Sequence, residues 1–140
     1  MKNAICTGIG VVGSIIASFF GGWTASLTTL VIFMGIDYLS GLVVAGVFHN
    51  SPKTETGTLE SRAGFKGLIR KCMILLFVLI GYRLDVAIGA AYIKDAVCIA
   101  FMANELISIV ENAGLMGIPI PKIVTNTIDI LKKKSEVKGE

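Results

Sequence analysis

Charge is scarce in this chain. Of its 140 residues only 16% are Asp, Glu, Lys or Arg, while 54% are hydrophobic, and the mean hydropathy is +0.76. A soluble domain carries about a quarter charged residues, and a chain of this size buries a poor fraction of its surface. The composition therefore argues against a water-soluble globule and for a bilayer protein. Histidine is scarcer still. His49 stands alone beside a polar connection, with no second imidazole to make a ligand set. The three cysteines, Cys6, Cys72 and Cys98, lie in apolar runs. Their odd number and wide spacing give neither a disulfide framework nor a zinc site, so they read as small hydrophobes. No nucleophile–His–acid set, phosphate loop or paired metal ligands are present. An enzyme, a cofactor and a bound metal are accordingly not expected. The basic residues accompany no nucleic-acid-binding motif, so no nucleic acid is expected as a partner.

What the chain has is long apolar runs, at residues 4–21, 23–48, 68–86 and 93–110. Spanning hydrocarbon takes about 20 helical residues, and a spanning backbone must satisfy its own hydrogen bonds. The reading is an all-α integral membrane domain over residues 1–140 with four transmembrane helices. Gly21-Gly22 and interfacial Trp23 mark the first turn. The connection 49–67 is polar, then basic, with Thr58 placed to cap a short amphipathic helix carrying Leu59, Ala63 and Leu68. In the tail, 117–140, Pro121 suits a first helical turn. Ile123, Val124, Ile128 and Leu131 then recur at helical spacing before Lys132, Lys133 and Lys134. That pattern predicts a short basic amphipathic helix on an anionic membrane surface.

The bases orient the spans. Lys53, Arg62, Lys66, Arg70 and Lys71 flank or occupy the central connection, and Lys2 sits at the N-terminus. Only Arg83 and Lys94 lie near the other connections. The positive-inside rule places both termini and the central connection in the cytoplasm, an N-in/C-in arrangement that four spans satisfy. Arg83, Asp85, Lys94 and Asp95 then fall at the outer surface, where no special role is expected of them. The single Lys and the long first run favour a retained span over a cleaved signal.

Two features stand out inside the spans. Gly10, Ser14, Ser18 and Gly22 recur every fourth residue with Cys6, beside a second row of Gly13, Ala17, Gly21 and Ala25. Small residues at that spacing let helices approach closely, so the rows read as a packing and oligomerisation face. The second feature is acid in the apolar layer. Asp37 has Gly41 and Ala45 on its face, and Glu105 shares a side of the fourth run with Lys94, Cys98, Ser108 and Asn112, next to Asn104. A charge at a helix centre costs about 2.5–3.5 kcal/mol on the insertion scale, so both acids belong in a bundle interior or a water-filled cavity. They stand at similar depth, close enough to share a proton or repel. Either they only hold helices together, or they line a pore or proton path.

The stretches "MGIDYLSGLV", "GFKGLIRKCMILL" and "ANELISIVENAGLMGIPIPKIVTNTIDILKKK" resemble the phage lysis and toxin-secretion holins of Gram-positive bacteria and their phages. Asp37, Tyr38 and Gly41 carry the likeness in the second run, with Ser40 where Thr is common. Asn104, Glu105, Ser108, Glu111, Asn112, Gly117, Pro119, Pro121 and Lys122 carry it in the last third. The resemblance implies a cytoplasmic-membrane protein that self-associates and opens holes for an endolysin or a toxin, with no bond chemistry of its own. Bilayer lipid and further copies of the chain are the expected partners, with an antiholin as a regulatory one. A small proton-coupled exporter, or an antiholin in its own right, are the rival expectations.

Overall fold

The computed structural model describes residues 1–139, so residue 140 of the predicted tail lies outside the described residues. The chain forms α1 (Lys2–Phe19), α2 (Ala25–Gly46), α3 (Ser61–Ile88), α4 (Ile93–Leu115) and α5 (Lys122–Gly139). Helix is the only regular structure among the described residues. Of the five, α1 and α2 are long and apolar enough to cross a membrane.

Local signals set most boundaries. α2 starts where Thr24 accepts the Leu27 backbone N–H at 3.3 Å, an ordinary N-cap. α3 ends at Gly89, whose φ of 70° carries the left-handed turn and returns its N–H to the Asp85 carbonyl. The third apolar run is longer than predicted. α3 is continuous from Ser61, so the short amphipathic helix expected in the connection is its first two turns, and Glu60 rather than Thr58 occupies the cap position. An apolar window misses this extension because all its residues but Phe65 are polar or small, yet nothing there interrupts the helix.

α4 is the spine. α2 runs beside it in the same direction, joined near one end by Lys94 and Gly22 and at the other by Asn50, which donates to the Leu115 carbonyl. α3 runs the opposite way, and its Gly81 comes so close that an added Cβ would stand 3.3 Å from the Lys94 Cα. Leu27, Leu30, Met34, Val78, Cys98 and Met102 form the shared core. α2 and α3 barely touch each other, so a gap opens between them with α4 as its back wall.

The two ends of the chain depart from a simple four-helix bundle. α1 leaves its body unpacked, and a Cβ added at Gly8, Gly10 or Gly13 would meet nothing within 4 Å. Only Ala17 in α1 is buried. α5 is an 18-residue helix laid against α4, with Ile128 buried and Leu131 reaching the core cluster. It was expected as a helix lying free on a lipid surface, but Ile128 and Leu131 use their apolar stripe on protein instead. Large apolar side chains cover the outside, among them Ile9, Phe19, Leu39, Phe65, Phe77 and Ile80. An outer surface of that kind suits lipid, not water.

Candidate functional site

The gap between α2 and α3 is a cavity of about 510 Å³. Halfway along it three charged side chains meet. Lys71 Nζ on α3 donates to Asp37 Oδ2 on α2 and to Glu105 Oε2 on α4, each at 2.7 Å. All three side chains are largely buried, Lys71 at 13% exposure and each acid at 7%. The two acids that the sequence places at similar depth do lie together, each hydrogen-bonded to the same ammonium. An ammonium stands between them. Charge-assisted bonds of this length are the strong class, and burial makes the loss of any one member expensive.

By sequence Lys71 reads as a base on the cytoplasmic flank of the third run. It stands three turns inside α3, counted from Ser61, and its long stem carries the charge inward. The signal that points to it is depth. If Asp37 and Glu105 lie in the interior, an opposite charge on the antiparallel neighbour at the same height is their natural partner.

A polar shell orients the triad. Asn112 on α4 donates its side-chain amide to the Asp37 carbonyl at 3.3 Å, to Asp37 Oδ1 at 3.2 Å and to Ser40 Oγ at 2.9 Å. A Cβ at Gly41 would lie 3.8 Å from the Asn112 amide nitrogen, an ordinary contact, so this approach of α4 does not depend on the glycine. Tyr38 reaches across the gap to the Gly64 carbonyl at 3.4 Å. Asn104 and Ser108 line the cavity with Asp37 and Glu105, as their grouping in sequence suggests. Lys94, Cys98, Glu105, Ser108 and Asn112, which the sequence groups on one side of α4, include four buried residues, with Ser108 half-buried.

The opposite end of the bundle holds a second polar cluster. Asp85 and Lys94 were expected at an outer surface without a role, yet both are buried. The Asp85 carboxylate accepts the backbone N–H groups of Tyr92, Ile93 and Lys94 at 2.8–3.2 Å, capping α4 from the end of α3. Lys94 Nζ donates to the carbonyls of Phe20 and Gly22 and lies 5.6 Å from the centre of the Tyr82 ring. It thereby ties the α1–α2 turn to the α3–α4 turn. The reason is backbone satisfaction: helix ends leave amides and carbonyls unpaired, and burial requires partners for them.

The other predicted residues do not join either cluster. Gly10, Ser14 and Ser18 are exposed on α1, with Ser14 bonded to the Gly10 carbonyl and Ser18 to the Ile15 carbonyl of their own helix. Gly22 sits in the turn with φ 93°. Lys132, Lys133 and Lys134 are exposed on α5.

The chain matches the bacteriophage holin family over residues 14–133. It is 38% identical over 128 residues to an uncharacterized protein of Halalkalibacterium halodurans, covering 87% of this chain and 89% of the other. It is also 38% identical to an uncharacterized Listeria monocytogenes protein, covering 88% of this chain and 83% of that one. A protein of Bacillus phage phi105 described as a probable holin is 24% identical, with 88% of this chain and 86% of the phage protein aligned. No solved structure matches. With the match extending over α2, α3, α4 and most of α5, the protein belongs to the bacteriophage holin family.

Proposed function

We propose that the protein is a holin. It self-associates in the bacterial cytoplasmic membrane and opens holes through which an endolysin or a toxin leaves the cell. α1 to α4 span the bilayer with both termini in the cytoplasm, and α1 supplies the contact between copies through Gly10, Ser14, Ser18 and Gly22. The observation that carries the reading is the Lys71–Asp37–Glu105 triad. Three charges are costly in lipid, tolerated when paired in a bundle, and cheap against water. Contacts among α2, α3 and α4 hide them in the closed molecule. Opening separates the helices and leaves the three charges facing a water-filled hole.

α5 fits this scheme with one rearrangement. Lys132–Lys134 follow Leu131, which reaches the core. Ammonium groups at the centre of the hydrocarbon cost about 2.5–3.5 kcal/mol each on the insertion scale. In the bilayer, α5 comes away from α4 and rests on anionic headgroups by its apolar stripe.

Induction in a bacterium with and without a co-expressed endolysin tests the proposal. Expected are loss of membrane potential in both strains and lysis only where endolysin is present. Continued growth with an intact potential overturns it. Drug efflux that stops when either acid is neutralised, without passage of protein, identifies an exporter instead.

A further inference from the structure

The cavity between α2 and α3 extends well beyond the triad, and its lining changes character along its length. Lys53 and Thr54 stand at the mouth, under the 49–60 connection, and Arg70 lines the same cavity from α3, one residue before Lys71. Neither Lys53 nor Arg70 forms an ion pair among the described residues. Thr54 Oγ1 is buried without a hydrogen-bond partner, an arrangement that native proteins rarely leave unfilled. Glu60 shares the rim, but its carboxylate is in reach of the Thr56 hydroxyl at 3.5 Å. The triad forms the waist. Lys71 is already committed to two carboxylates there, so the waist offers an anion no free cation. Beyond the waist the walls are apolar, ending at Ile74, Phe77 and Phe101. Phe77 lies about 10 Å past Arg70 along α3 at 1.5 Å per residue.

We propose that this cavity is a binding site for an anionic phospholipid, entered through the slit between α2 and α3. The phosphate sits at the mouth on Lys53 and Arg70, where the Thr54 hydroxyl donates to it, and an acyl chain fills the apolar end. The charge order chooses the ligand. The uncompensated cations of the lining are Lys53 and Arg70, on the mouth side of the triad, and an apolar slot continues beyond it. A head of opposite sign attached to a hydrocarbon tail satisfies both, and neither a free phosphate nor a hydrocarbon alone does. A volume of about 510 Å³ falls within the usual range for a site of this kind. The phospholipid would hold α2 and α3 at their present separation and shield the triad from the bilayer. The site rests on the membrane location proposed above but not on hole formation.

Native mass spectrometry of the purified chain in a non-ionic detergent tests it, with three soluble probes. Lysophosphatidylglycerol should bind one per chain. Lysophosphatidylcholine, with the same tail and no net charge, should bind about tenfold more weakly, and glycerol 3-phosphate, the head alone, should not bind. Lys53→Gln with Arg70→Gln should weaken lysophosphatidylglycerol about tenfold. Lys132→Gln, Lys133→Gln and Lys134→Gln together should leave it unchanged. Ile74→Trp should block the slot and remove binding. The exposed Arg70 and the loop residue Lys53 keep the test open should the Ile74 variant misfold. Equal binding of the two lysolipids, tight binding of glycerol 3-phosphate, or indifference to the Lys53 and Arg70 changes each overturns the proposal. Lipid binding read in detergent is independent of depolarisation read in cells, so either result can fail alone.

Discussion

Lys71 Nζ lies 2.7 Å from Glu105 Oε2, although the two residues are 34 positions apart in sequence and belong to antiparallel helices. That contact, repeated to Asp37, pins three helices at one height. Removing the lysine should therefore hurt more than removing either acid. Lys71→Met leaves two buried carboxylates facing each other with no cation, at an expected loss of about 3–5 kcal/mol. Adding Asp37→Asn and Glu105→Gln to Lys71→Met should recover most of that loss, since a neutral set hydrogen-bonds without needing a counter-charge. Thermal unfolding in detergent measures both. A triple variant no more stable than Lys71→Met would show that the triad is not what Lys71 supports.

In cells the same changes should alter timing. Fewer bonds hold α2, α3 and α4 together in Lys71→Met, so cells carrying folded variant should lose membrane potential earlier than wild type. If Asp37→Asn, Glu105→Gln and Lys71→Met all leave the schedule unchanged, the triad has no part in opening.

At the other end of the bundle the prediction concerns a cap. Tyr92 occupies the N-cap position of α4 without a side-chain cap bond, and Asp85 supplies the acceptor from the preceding helix. Asp85→Ala leaves three backbone amides without their acceptor and should cost about 1–2 kcal/mol. Amide exchange at Tyr92, Ile93 and Lys94 should rise locally, whereas exchange near Asn112 should not. Asp85→Asn keeps one acceptor oxygen and should fall between the two.

The small-residue row on α1 gives a prediction that separates folding from assembly. A Cβ at Gly10 meets nothing within 4 Å, so Gly10→Leu should change monomer stability by less than about 0.5 kcal/mol. It should nevertheless reduce cross-linked oligomers and delay lysis, because the bulk falls on the face proposed to join copies. Gly21→Ala should do the reverse. Its φ is 76° and an added Cβ would come within 2.4 Å of the Tyr82 ring, so the single chain itself is destabilised. Blue-native electrophoresis alongside thermal unfolding distinguishes the two effects.

Much of this arrangement was legible in the sequence, and the misses share a cause. Apolar length located the first four helices, and helical spacing grouped Cys98, Glu105, Ser108 and Asn112 on one side of α4, where all but Ser108 are buried. Asp37 and Glu105 were recognisable because acids in apolar runs demand an interior. Lys71 and Lys94 were not, because a long side chain near the end of an apolar run has two destinations, the headgroups or the core. Only the neighbouring helices decide between them. Lys71 finds two carboxylates across the gap, and Lys94 finds two unpaired carbonyls in a turn. The docking of α5 was hidden for a similar reason. One apolar stripe serves equally well on lipid and on protein, and its period does not name the surface it will meet.

That ambiguity makes α5 the place for the last prediction. Ile128 is 7% exposed against α4, while Ile123 on the same helix is 73% exposed. In detergent, Ile128→Ala should cost about 2–4 kcal/mol, the usual loss for an isoleucine truncated in a packed site, and Ile123→Ala should be within about 0.5 kcal/mol of wild type. Trypsin should cut after Lys132, Lys133 and Lys134 faster in Ile128→Ala than in Ile123→Ala, since only the first loosens the helix from its seat. On anionic vesicles the contrast should vanish if α5 leaves α4 for the headgroups, because both isoleucines then serve the same lipid-facing helix. A difference in cleavage that persists on vesicles would mean that α5 stays on α4 in the membrane, and the proposed rearrangement would be wrong.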